Sequence, residues 1–96
     1  AIDIEPENGY FIDSLGWVLY QQGKYREALP KLEKSAQLVA TDAVIVEHYA
    51  LVLEKLNEHK KALEVARKAL AVSDQSDDKK VGERLIALIE RLERKK

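Results

Sequence analysis

Cysteine is absent from all 96 residues, which removes disulfides, thiolate nucleophiles and thiolate metal sites together. Glycine occurs only four times, and no Gly-rich phosphate loop is among them. Histidine is confined to His48 and His59, and two imidazoles without a placed carboxylate make a poor metal site. Ser14, Ser35, Ser73 and Ser76 lack a neighbouring His–Asp arrangement, so no activated nucleophile is in view. Neither an enzyme nor a bound cofactor or metal is therefore expected. Positive charge is not in surplus: 16 Lys+Arg face 17 Asp+Glu, for a net charge of −1. That balance argues against nucleic acid as a partner, because displacing counterions from phosphates needs a basic excess. No apolar run reaches the roughly 18 residues of a membrane span. The first residues are acidic where a targeting segment would be basic.

What remains is a chain 46% hydrophobic and 34% charged, a balance typical of one small folded domain rather than a disordered segment. Charge is unevenly placed. Asp3, Glu5, Glu7 and Asp13 precede the first cation, Lys24, whereas Asp77 to Lys96 carries seven bases and five acids.

Sliding the chain by 34 residues aligns Val18 with Val52, Leu19 with Leu53, Ala28 with Ala62, Leu29 with Leu63 and Lys34 with Lys68. Matches of this small and apolar kind are the ones a repeated helix pair needs. In each unit the apolar spacing is helical: Phe11, Leu15, Val18 and Leu19 share one stripe, and Ile45, Tyr49, Val52, Leu53 and Leu56 repeat it. Asn8 and Asp42 stand where N-caps belong, and Gly23 and Asn57 where left-handed helix stops belong. A second helix then carries Ala28, Leu29, Leu32, Ser35, Ala36 and Leu38, and later Ala62, Leu63, Ala66, Ala69, Leu70 and Val72. Each unit reads as a helical hairpin, with Ala28 and Ala62 allowing close approach. Pro30 falls inside a second helix and is expected to bend it near its start. A further shift of 34 fails; instead Val81, Leu85, Leu88, Ile89 and Leu92 form one stripe of a single amphipathic helix, with Ser76 or Asp77 as candidate caps. Glu27/Lys31, Lys60/Glu64, Glu64/Lys68 and Glu90/Arg94 are four apart and read as solvated helix faces.

Leu15-Gly16, Gly23-Lys24-Tyr25, Ala28-Leu29, Leu32 and Ser35 resemble a tetratricopeptide repeat (TPR), whose pattern runs W-x2-L-G-x2-Y, A-x3-F, P. Tyr49-Ala50, Asn57, His59, Ala62, Ala66 and Ala69 resemble it more loosely. The departures are Ile12 and Val46 for Trp, Leu32 and Ala66 for Phe, and Ala40 and Asp74 for the closing Pro. The resemblance implies an all-α, right-handed solenoid of antiparallel hairpins. Residues 1–8, with Ile4 and Pro6, would be the tail of a preceding unit, 9–42 and 43–76 the two repeats, and 77–96 a capping helix. The chain would then be a segment of a longer repeat protein.

The same resemblance implies a concave surface lined by first-helix residues: Tyr10, Asp13, Ser14, Trp17, Tyr20 and Gln21, with Val44, Glu47, His48, Leu51, Glu54 and Lys55 from the second unit. Helical geometry independently groups Tyr10, Asp13, Trp17 and Tyr20. Aromatic anchors beside Asp13, Glu47 and Glu54 predict a groove with an acidic rim, suited to a peptide or helix bearing apolar and basic side chains. An alternative reading packs Trp17 on Leu51 and leaves no groove contact to it. Family members that clamp a carboxylate terminus use Lys and Asn where this chain has Asp13, Trp17 and His48, so that clamp is not expected. A second hypothesis is self-association: the outer side of Phe11 and Leu15 has no partner in the sequence, and two copies would bury it as a homodimer.

Overall fold

Two pairs of matching caps set the architecture. In the computed structural model, which describes residues 8–74 and 79–95, the Asn8 side chain accepts from the Phe11 N–H at 3.1 Å. The Asp42 carboxylate, 34 positions on, accepts from Val44 and Ile45 at 3.0 and 3.3 Å. These caps open α1 (Gly9–Gln21) and α3 (Ala43–Lys55) by satisfying first-turn donors. Both helices end alike. Gly23 and Asn57 take φ of 81° and 64°, and the following N–H, of Lys24 or Glu58, donates to Leu19 or Leu53 at 2.9 Å. That is the Schellman closure, which needs a left-handed residue at this point.

The chain then reverses into α2 (Tyr25–Leu38) and α4 (His59–Ser73), and α5 (Lys79–Arg94) follows. All regular structure among the described residues is helical. α2 runs unbroken through Pro30, in its second turn, giving up the one hydrogen bond that an N–H there would make to the Arg26 carbonyl. α1 lies antiparallel on α2 at short range: a Cβ on Gly16 would stand 2.7 Å from Leu32 Cδ2. Contacts follow chain order, α1 on α2, α2 on α3, α3 on α4 and α4 on α5, with lighter contacts of α1 to α3 and α3 to α5. This packing is consistent with a helical repeat. The first eight residues and the candidate caps Ser76 and Asp77 fall outside the described residues or, for Asn8, at their edge.

The core runs through the middle layer. α3 is buried on most sides, from Ile45 to Leu53, and Ala28, Leu32, Ala62, Ala66 and Ala69 are sealed against it or its neighbours. α5 adds Val81, Leu85, Leu88 and Leu92, all fully or almost fully buried, each a side chain whose burial contributes about 2 kcal/mol. Their spacing repeats Ile45, Tyr49, Val52 and Leu56 at a shift of 36, not 34. α5 thus presents to α4 the same stripe that α3 presents to α2. Among the described residues the same stripe of α1 is left largely uncovered: Phe11 and Val18 are 59% and 51% exposed, against 3% and 0% for Ile45 and Val52.

Candidate binding groove

α1, α3 and α5 lie side by side, and three acid–base contacts link them. Asp13 Oδ1 of α1 is 2.8 Å from His48 Nδ1 of α3. Glu47 of α3 accepts two hydrogen bonds, each 2.9 Å, from Arg84 Nε and Nη2 of α5. Glu54, two turns on, accepts from Arg91 Nε and Nη2 at 2.6 and 2.9 Å. The register explains the regularity. With the apolar stripes superposed at shifts of 34 and 36, each base stands one position beyond the equivalent of its acid. Helices laid side by side with that constant stagger bring i of one to i+1 of the next.

The aromatic row occupies the same face. The Trp17 ring stacks on His48 with centroids 3.8 Å apart and on Tyr20 at 4.5 Å, and Tyr20 meets Tyr25 edge-on at 5.3 Å. Lys55 Nζ lies 5.9 Å over the Tyr25 ring, in cation–π range. Beside this row is a depression of about 430 Å³ lined by Trp17, Glu47, His48, Leu51, Arg84, Ala87, Leu88 and Arg91. A larger hollow of about 990 Å³ runs along α4, but its lining, Asn57 to Lys68, comes from one helix and its leading turn. One helix cannot enclose a ligand from two sides, so the smaller, three-helix depression is the better candidate.

Electrostatics here differ from the sequence expectation. Glu47 and Glu54 do not form an acidic rim: their side chains are 6% and 9% exposed, beneath Arg84 and Arg91 at 50% and 42%. Bidentate pairing with a guanidinium is strong and geometrically specific, so the surface shows cation where anion was expected. The Arg91 hydrogen bonds hold the Glu54 carboxyl below its ordinary range, against the opposing effect of burial. Arg91 is raised in turn by the same bonds. Burial first, then the charges of Tyr25 and Glu54, push the Tyr20 hydroxyl up.

Of the twelve residues the sequence proposed, Trp17, Glu47, His48 and Leu51 line the depression. Tyr20, Glu54 and Lys55 adjoin it through the contacts above. Asp13 is half-buried against His48, so a carboxylate does stand beside one imidazole. Tyr10, Ser14 and Gln21 are exposed on α1, and Val44 is half-buried; none of the four lines the depression. The stacking partners of Trp17 are His48 and Tyr20, and it shares the lining of the depression with Leu51. Arg84, Ala87, Leu88 and Arg91 were not anticipated. A signal existed: Lys80, Arg84, Ala87, Arg91 and Lys95 fall at i, i+4, i+7, i+11 and i+15, one helical stripe free of acids.

The described serine hydroxyls are committed locally: Ser14, Ser35 and Ser73 each donate to a carbonyl of their own helix at 3.2, 2.9 and 2.7 Å. Among the described residues no group of three or more His, Cys, Asp and Glu converges as a metal site, and no helix is long and apolar enough to cross a membrane. Compared with known proteins, the chain matches no family model, and no curated protein matches it.

Proposed function

We propose that this chain is a non-catalytic binding module of the tetratricopeptide-repeat kind: two hairpins, α1–α2 and α3–α4, stacked as a right-handed solenoid and finished by α5. Its task is to hold a peptide or helical segment of a partner protein on the inner face made by α1, α3 and α5. The recurrence of both caps and both left-handed stops at 34 residues supports the repeat reading. The observation that carries the function is the three-helix depression, with Trp17, Leu51 and Leu88 in its wall and two guanidiniums, Arg84 and Arg91, along its α5 side. Large rigid side chains of this kind supply contact area at little entropic cost and dominate binding energy. Trp17 is the sole tryptophan, so its fluorescence reads the site directly. Binding partners should shift that emission, and Leu51→Glu should abolish binding while leaving the helical circular dichroism intact. Partner affinity unchanged in both Leu51→Glu and Trp17→Ala refutes the groove.

The exposed stripe of α1 favours a second reading, self-association. Phe11, Leu15 and Val18 are the α1 equivalents of residues that α3 buries, and the Ser14 hydroxyl between them is already satisfied by the Tyr10 carbonyl. The partner for this stripe would be the same stripe of a second copy. Sedimentation should then report dimer that Val18→Glu converts to monomer; a wild-type monomer at high concentration refutes this reading.

A further inference from the structure

Charge on the inner face is locally unbalanced. Glu54 is nearly sealed, and three cations act on it: Arg91 through two hydrogen bonds, Lys95 and Lys55 through space. Three positive groups against one negative leave a net charge of +2 at this end of the groove. The anion lies underneath, whereas Lys55 and Lys95 are exposed and Arg91 is half-exposed. The acids of α5 do not offset this. Glu83 and Glu90 lie off the Arg84–Ala87–Arg91 stripe, and Glu93 is turned to Arg67 of α4 at 2.6 Å. At the other end, Asp13 is engaged by His48.

The cations adjoin the apolar depression in a fixed spacing. Leu51 precedes Lys55, and Ala87 precedes Arg91, by one helical turn, about 6 Å. We infer that the groove selects an acidic segment of a partner protein, one with an apolar side chain seated among Trp17, Leu51 and Ala87 and a carboxylate about one turn away on Arg91, Lys55 and Lys95. This rests on the groove reading above and reverses the basic partner anticipated from sequence. Tyr20 and Tyr25 adjoin the cluster, Lys55 lying over the Tyr25 ring. Nucleic acid is the poorer fit: a surplus of two charges over one buried carboxylate falls well short of the roughly six phosphate contacts of a typical binder.

The test uses three short peptides with one shared apolar centre, flanked by Asp/Glu, by Ser/Gln or by Lys/Arg, titrated against Trp17 emission. The acidic peptide should bind at least about tenfold tighter than the basic one at low salt, with the gap narrowing as salt screens the cluster. Lys55→Glu/Lys95→Glu, two exposed positions, should cancel or invert the order, and Ala87→Gln should weaken all three peptides. If neutral and basic peptides bind as well as the acidic one and remain sensitive to Ala87→Gln, the groove stands and the acidic preference is overturned. If no peptide moves Trp17, both readings fall. Equal or tighter binding of a single-stranded oligonucleotide, lost in Lys55→Glu/Lys95→Glu, also overturns the inference.

Discussion

Replacing Arg91 with alanine strands a carboxylate. Glu54 has 9% of its side chain exposed and both oxygens on the guanidinium, so the variant leaves a nearly buried anion with only the fields of Lys55 and Lys95. Breaking a buried pair in this way costs about 3 kcal/mol. The reverse change, Glu54→Gln, leaves a guanidinium that is 42% exposed and that water can solvate, and the amide still offers one acceptor. Its cost is about 1 kcal/mol. Removing both charges strands an amide but no ion, which is the smaller cost, so Arg91→Ala/Glu54→Gln should be more stable than Arg91→Ala alone. Urea unfolding of the four proteins at neutral pH measures this as a double-mutant cycle, because a slope near 1 kcal/mol/M resolves such differences in midpoint. The pH dependence has a defined sign. The folded carboxyl is held below its ordinary value of 4.5, so its stabilisation is complete above that value and is lost as pH falls through the lower folded one. The gap between wild type and Glu54→Gln should close in acid. Additive single costs, or Glu54→Gln as damaging as Arg91→Ala, would refute the argument.

Three further outcomes follow from the packing, each measurable by thermal or urea unfolding. Gly23→Ala should lose about 1–2 kcal/mol, because its φ of 81° is left-handed and nothing lies within 4 Å of the added methyl; a neutral result would contradict the Schellman closure. Gly16→Val should lose about 1–3 kcal/mol by overpacking against Leu32 and Lys31, with its cost relieved if Leu32 is shortened to Ala. Leu85→Ala should lose about 2–5 kcal/mol, since Leu85 is fully buried between α5 and its neighbours; a cost under about 1 kcal/mol would mean α5 is not part of the cooperative core.

Helix ends and hairpins were legible because their determinants are local. Asn8, Asp42, Gly23 and Asn57 act within a few residues of themselves, and a side chain that caps or a residue that tolerates positive φ does so in most contexts. The buried stripe of α5 was legible for the same reason. Its alliance with α3 was not. The apolar pattern recurs at 36 residues instead of 34, so a fixed shift places Lys80, Glu83 and Arg84 against the wrong positions and hides the match. Glu47 and Glu54 consequently read as free acids, although i-to-i+1 pairing between neighbouring helices ties each to an arginine 37 residues away. Charge preference at a surface depends on which partner arrives from a distant helix, and a single helical wheel does not contain that information. Trp17 illustrates the same gap: its helix face was readable, but its stacking on His48 required the stagger between α1 and α3.

The two ends of the helix stack are unlike. α1 turns Phe11, Leu15 and Val18 outward, while the far side of α5 shows Ile86 among Lys79, Glu83, Glu90 and Arg94. A protein sticky at both ends would concatenate head to tail into filaments. Among the described residues the apolar surface lies at one end only, so copies that paired through it as proposed above would meet about a two-fold axis, with no second such face on α5 from which to grow.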